Sequence, residues 1–276
     1  MTKLSIITVN LNNKEGLQQT IESVITQTFP DFEYIIIDGG STDGSVDVIK
    51  QYEDKITYWM SEPDKGIYQA MNKGILQSKG EYCQFLNSGD IFCAETVLEN
   101  VFRTPYPEDM LTGNIVRIFP NKEVMERGLA YESEQRGKPL TLFDFFVNGT
   151  LPHQATFMRR KLFDQYGLYD ENYRIVSDWL FFLKTVGWNG VKVKYLDLLI
   201  IRFNMLGISN TQIDLRAKER ALAAKTVVPP SILADYEYFT KIENHFHRVF
   251  QHKITYQWMR CINKAITVYE ILTRKI

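Results

Sequence analysis

Four apolar runs, each followed by a polar turn and separated by stretches of helical period, fix what the first third of this chain folds into. The runs are Leu4–Val9, Tyr34–Ile37, Ile56–Met60 and Tyr82–Leu86. Between them, Leu17, Ile21, Val24 and Ile25 recur at helical spacing until Pro30 stops the pattern. Val46, Ile49 and Tyr52 predict a short helix, and Ile67, Met71 and Ile75 a longer one over Ile67–Gln77. Continuous apolar strands joined through helices imply parallel strands with both faces of the sheet covered. The chain is therefore expected to be α/β, with a Rossmann-like, mainly parallel sheet flanked by helices. Ligands of such sheets sit at the carboxyl ends of the strands.

Further on, Ala94–Phe102 reads as helix, and Thr104-Pro105-Tyr106-Pro107 as a break. Met110–Phe119 and Val124–Leu129 read as strands around Pro120-Asn121, and the polar stretch Tyr131–Pro139 as a loop. Ala155–Met158 predicts a strand, Asp178–Val186 a helix, and Val191–Arg202 one further strand or a pair. From Thr211 the sequence turns helical and aromatic, broken by Pro229-Pro230. The expected division is a catalytic domain over 1–210, with a nucleotide-binding half 1–100 and an acceptor half 101–210, followed by a helical region 211–276.

Composition narrows the function. A formal net charge of −1 argues against a nucleic-acid binder, which carries a basic excess. Cys83, Cys93 and Cys261 form no CxxC pair, so neither a zinc site nor a disulfide framework is expected. The run after Met1 is too short for a signal-peptide core, and no stretch approaches the roughly 20 apolar residues that span a bilayer. A cytoplasmic protein is expected.

Three turns carry chemistry. Asp38 ends the second run and opens Asp38-Gly39-Gly40-Ser41-Thr42-Asp43-Gly44, where a carboxylate can accept from a base N–H or a ribose hydroxyl; the other reading is a turn-forming Asp. Asp90 closes Leu86-Asn87-Ser88-Gly89-Asp90, a place for Mg²⁺ or Mn²⁺ under a departing diphosphate, or equally a turn and helix cap. In Glu62-Pro63-Asp64-Lys65-Gly66, Lys65 can face phosphate while Gly66 opens a helix whose free N–H groups favour anions; the alternative is a capped helix entry. The first run ends in Asn10-Leu11-Asn12-Asn13 rather than GxGxxG, against a dinucleotide oxidoreductase, and no P-loop motif occurs.

Taken with Ile36–Ser45, Ser61–Tyr68 and Met71-Asn72-Lys73-Gly74, these segments resemble the family-2 glycosyltransferases, closest to bacterial enzymes that build surface polysaccharides. The resemblance covers residues 1–100 strongly. It continues over 150–210 through Pro152-His153-Gln154, Ser177-Asp178-Trp179 and Gly207-Ile208-Ser209. It implies a GT-A fold, a nucleotide-sugar donor (UDP by family habit), a divalent metal (Mn²⁺ or Mg²⁺) and inversion at the anomeric carbon. The donor is then expected against Thr8, Val9, Asn10, Asp38, Asp64, Lys65, Gly66, Asn72, Asn87 and Ser88. Asp90 falls on the last acidic position of the family's metal motif, but Asn87, Ser88 and Gly89 stand where carboxylates are common, leaving one protein carboxylate for the ion. Asp178 matches the family's catalytic base, the group that takes the proton of the attacking hydroxyl; its other reading is an acidic first helical turn. His153, Gln154 and Trp179 are expected at the acceptor or diphosphate side.

The absence of QxxRW and of membrane spans argues against a processive synthase. A non-catalytic nucleotide-sugar binding module is the remaining alternative. In the last segment, Lys241, Arg248, Lys253, Arg260, Lys264, Arg274 and Lys275 interleave with aromatic and aliphatic residues. A basic amphipathic helix of this kind lies on an anionic membrane, near a lipid-linked or glycan acceptor. The competing reading is a helix packed on the catalytic domain or on a second subunit in a homodimer.

Overall fold

The computed structural model describes residues 2–119, 121–147, 149–204 and 212–251. The described chain divides into two compact units between Val227 and Val228. Most of the basic tail, and Gly207-Ile208-Ser209, lie outside the described residues.

The first unit opens with β1 (Leu4–Asn10), whose seven residues are all buried. Both neighbours, β2 (Phe32–Asp38) and β4 (Tyr82–Phe85), run parallel to it, and β3 (Tyr58–Ser61) runs parallel to β2. This central position explains why β1 is apolar on both faces instead of alternating. Helix α1 (Lys14–Ile25) is capped by Asn13, whose Oδ1 accepts from the Gly16 amide at 3.3 Å, and it buries Leu17, Ile21 and Val24 on the sheet. Helix α2 (Ser45–Gln51) starts after Gly44, which sits at φ +92°. Helix α3 (Ile67–Gln77) crosses β1 so closely that a Cβ at Gly74 would lie 2.4 Å from Ile7 Cγ2, so only glycine fits there.

After β4 the sheet becomes mixed. Strands β5 (Ile91–Phe92), β6 (Met110–Phe119), β7 (Lys122–Glu126), β8 (Thr156–Arg159) and β9 (Val193–Asn204) complete the spatial order β3-β2-β1-β4-β8-β6-β9-β5, with β7 beside β6. Strand β8 is antiparallel to both β4 and β6, and β9 is parallel to β6 with a bulge between Thr112 and Ile115. Short helices α4 (Val97–Val101), α5 (Leu129–Arg136), α6 (Leu142–Val147), α7 (Lys161–Tyr166) and α8 (Ser177–Phe182) surround this half. Helix α8 continues as a π-helical segment over Leu183–Trp188, and α9 (Ile213–Val227) packs on α8.

Several expectations need correction. The stretch expected as a loop, Tyr131–Pro139, is largely helix α5, and the strand expected to reach Leu129 ends at Glu126. Only Leu129 and Ala130 of α5 are buried, so no apolar period marks it. Helix α9 belongs to the first compact unit, although the sequence groups it with the tail. In the second unit, α10 (Pro230–Gln251) begins at Pro230, where a missing amide hydrogen costs nothing. No described helix is long and apolar enough to cross a membrane.

Candidate active site

The carboxyl ends of β1, β2 and β4 open into a cleft of about 380 Å³. Of the donor-side residues expected from sequence, Val9, Asn10, Asp64, Gly66, Asn87 and Ser88 line it. Three of them carry oxygens that are buried and have no partner: Asn10 Oδ1, Asp64 Oδ2 and Asn87 Oδ1. Buried acceptors of this kind are rare in native proteins and mark places that a ligand completes. All three are acceptors, so the complementary group carries N–H or O–H, as a nucleobase and a ribose do, or is a cation. The other oxygen of Asp64 pairs with Lys73, which also holds Glu62 at 2.7 Å. Burial opposes the charge on Lys73, but the bonds to Asp64 and Glu62 outweigh it and raise its pKa.

The other four donor-side candidates, Thr8, Asp38, Lys65 and Asn72, are not part of the cleft lining. Thr8 shares a hydrogen bond of 3.1 Å with the buried Tyr34 hydroxyl. Asn72 ties α3 to the segment before α8: its Nδ2 donates to the Tyr169 carbonyl and to Glu171, both at 2.9 Å, and its Oδ1 accepts from the Tyr169 amide. The side chain of Lys65 is not part of the cleft lining; its amide donates to Gln69 Oε1 at 2.9 Å.

Asp38 is fully buried and accepts from five donors. Asn10 Nδ2 and Ser41 Oγ bond Oδ1, while the Gly40 and Ser41 amides and Ser61 Oγ bond Oδ2. Burial alone would push its pKa up, yet the bonds from Ser41, Ser61 and Asn10 outweigh burial and hold it below the ordinary value. A carboxylate offers about four lone-pair sites. Asp38 is thus saturated by its own loop together with Asn10 and Ser61, while Gly39, whose amide donates to the Asn10 carbonyl at 2.8 Å, does line the cleft.

Asp178 is the second residue of α8 and is half-buried, with its Oδ1 accepting from the Tyr68 hydroxyl at 2.7 Å. Tyr68 stands on α3, so this bond joins the two halves of the first unit. Burial chiefly, and then the negative charge of Asp178, raise the Tyr68 pKa well above the ordinary tyrosine range. Tyr68 therefore stays protonated and donates. Asp178 lines this cleft and also a second, adjoining cavity of about 170 Å³. His153 and Gln154 line both as well. His153 is buried, stacks on Phe85 at 4.9 Å and bonds the Tyr169 hydroxyl at 2.8 Å. Burial lowers its pKa against the pull of Asp178, so the ring is neutral near pH 7. Trp179 is buried in the wall of the second cavity, its Nε1 donating to the Phe145 and Gly149 carbonyls.

Sequence reasoning assigned no role to several residues that shape the cleft. Tyr68 and Arg174 are two of them; Arg174 is the one arginine or lysine in the lining of the larger cleft among the described residues. Neither stands in a pattern that announces a site, although Tyr68 falls within the segment that carries the resemblance.

The family model described as glycosyl transferase family 2 matches residues 5–167, more than half of the chain. The chain belongs to glycosyl transferase family 2. This family member is 34% identical over 187 residues to an uncharacterized glycosyltransferase of Mycobacterium tuberculosis, covering 66% of this chain and 68% of that one. Its fold resembles that of Staphylococcus aureus TarS 1–349 in complex with UDP-GlcNAc, with a TM-score of 0.61 and 19% identity. The match covers 76% of this chain and 61% of that one, so the chain spans less than two thirds of TarS 1–349. It also resembles the mannosyltransferase PcManGT of Pyrobaculum calidifontis in complex with GDP-Man and Mn²⁺, with a TM-score of 0.63, 12% identity, and 93% and 82% of the two chains covered. The fold is the GT-A fold expected from the sequence.

Members of this family commonly use a divalent metal, and Asp90 was the residue expected to hold it. The donor set does not fit that role. Asp90 is buried and absent from the cleft lining, and desolvation raises its pKa well above the ordinary carboxylate value. A metal ligand must reach the ion, and Asp90 does not face the cleft where the diphosphate would lie. The turn is pinned to α1 instead: Thr20 Oγ1 accepts from the Gly89 amide at 2.9 Å and donates to the Asp90 carbonyl at 2.8 Å. Among the described residues, no group of three or more His, Cys, Asp or Glu side chains stands close enough to hold a metal.

Proposed function

We propose that this chain moves a hexosyl or N-acetylhexosaminyl group, with inversion, from a nucleotide diphosphate sugar to a hydroxyl of a glycan or lipid-linked acceptor in bacterial surface polysaccharide synthesis. Asp178 is the base in this reading. The observation that carries it is the position of Asp178 on the wall common to two adjoining cavities. In a single displacement, base and leaving group lie on opposite faces of the sugar ring, a geometry shared with inverting glycoside hydrolysis. The donor occupies the larger cleft and the acceptor the smaller.

The acceptor oxygen attacks the anomeric carbon, the bond from that carbon to the diphosphate oxygen breaks, and the electron pair leaves with the diphosphate. The hydroxyl proton passes to Asp178. Tyr68 donates to Asp178 Oδ1, fixing the carboxylate's orientation and leaving Oδ2 for the substrate. Asp64, Asn10 and Asn87 offer the unpaired acceptors that read the nucleoside. UDP is favoured among nucleotides, in keeping with the UDP-GlcNAc bound by TarS; the GDP-Man complex of PcManGT marks the competing choice. Any Mg²⁺ or Mn²⁺ that supports turnover arrives with the diphosphate rather than on Asp90.

The test is release of UDP from UDP-sugars by the wild type and by Asp178→Asn. The variant is expected to bind UDP as the wild type does and to lose about 10²–10⁴ in turnover. Equal turnover in the two proteins would remove Asp178 as the base.

A further inference from the structure

Resting on that reading of Asp178, we infer that the acceptor carries an anionic group, phosphate or carboxylate, held by Arg220 in the second cavity. Helix α9 presents Arg216 and Arg220, one helical turn apart, to the cavity that Asp178 lines. The Arg220 guanidinium sits 5.0 Å from the centre of the Trp179 ring. Its Nε is buried without a hydrogen-bond partner, and so is the Thr150 hydroxyl in the same lining. Leaving such groups unpaired is costly, and each can bond an oxyanion in the cavity they both line.

The other charges around the cavity do not supply that anion. Glu126 is paired with Arg117. Asp178 attracts Arg220 through space, but the hydrogen bond described for its carboxylate is the one from Tyr68. His153 is neutral, as shown above. Burial, and then the charge of Arg216, lower the Arg220 pKa, opposed by Asp178. Asp178 thus acts on Arg220 through space only, and the Arg220 Nε is left without a hydrogen-bonded anion. A neutral hydroxyl acceptor has no use for such a group. The donor's own diphosphate is the other source of an anion, but Arg220 does not line the donor cleft, whereas Arg174 does.

The experiment is titration calorimetry on the full chain with saturating UDP, using glucose 6-phosphate, glucuronate and methyl glucoside as probes. One charged probe is expected to bind at least about tenfold tighter than methyl glucoside, and the tighter of the two names the oxyanion. Arg220→Gln is expected to abolish that preference while leaving UDP affinity within about twofold; Arg220→Lys restores part of it, and Thr150→Val weakens it without removing a charge. Equal binding of charged and neutral probes by the wild type overturns the proposal. So does displacement of UDP by the charged probe, or a tenfold loss of UDP affinity in Arg220→Gln, since either assigns Arg220 to the donor diphosphate. If Arg220→Gln melts far below the wild type, the comparison of Arg220→Lys and Thr150→Val with the wild type decides. No turnover enters these measurements, so an active Asp178→Asn sinks the assignment of the base and leaves this result standing.

Discussion

The turns after β2 and β4 look alike in sequence, each bringing glycine and an aspartate to the carboxyl side of a buried parallel strand, yet the pKa values of the two aspartates are shifted in opposite directions. Asp38 is buried among five donors and held as a carboxylate. Asp90 is buried with desolvation as the sole cause of its shift, which raises its pKa well above the ordinary carboxylate value. Neither presents a free carboxylate to the cleft. What faces the ligand is their neighbours: Asn10, which also bonds Asp38, and Asn87, three residues before Asp90. A strand-end carboxylate in this fold is thus as much a tool for shaping a loop as for touching a substrate, and local donors decide which.

The largest effect on stability is expected from Asp38→Asn, which sets an amide nitrogen against hydroxyl and amide donors. The cost is roughly 2–4 kcal/mol, or about 5–15 °C in melting temperature. Its folded-state pKa is depressed, so the stability it contributes is present above the ordinary carboxylate pKa of 3.8 and is lost as pH falls through the folded value. Melting curves of both proteins from pH 7 down to 3 are expected to converge at the acid end. A variant as stable as the wild type at pH 7 would break the contrast.

A middle-sized effect is expected at Asp64, whose Oδ2 is unpaired at the cleft. Asp64→Asn keeps Glu62 as a partner for Lys73. It is expected to weaken UDP binding about tenfold with little change in melting temperature. Unchanged affinity in a calorimetric titration would move nucleoside recognition elsewhere.

Asp90→Asn is expected to do least, with turnover in added Mn²⁺ or Mg²⁺ kept within about threefold of the wild type. Here the folded pKa is raised, so the residue's contribution is fully present below the unfolded pKa and is lost as pH rises toward the folded one. The variant should therefore gain melting temperature relative to the wild type between pH 4 and 7. A loss of turnover by orders of magnitude, restored by excess metal, would show an ionised Asp90 on the ion and sharpen the comparison in the other direction.

The parallel core was legible because its signals are local. Strand β1 is apolar throughout because neighbours cover both its faces, and α3 begins and ends where Gly66 and the period of Ile67, Met71 and Ile75 place it. Helices α6 and α7, each six residues long, left no such signal. Asp64 and Asn87 could be named from their turns. The contact of Tyr68 with Asp178 could not, because 110 residues separate the partners and no local pattern links them.

The sequence by itself determined a βαβ half with ligand-bearing strand ends, its membership of a glycosyltransferase family, and the candidate carboxylates. Periodicity, turn chemistry and motif are properties of neighbouring residues. Tertiary structure alone decided which carboxylates face the cleft, because solvation and hydrogen-bond donors come from segments far apart in the chain: Ser61 for Asp38, and Thr20 pinning the turn at Asp90. It also brought Asp178 from α8, Tyr68 from α3 and Arg220 from α9 together around two adjoining cavities.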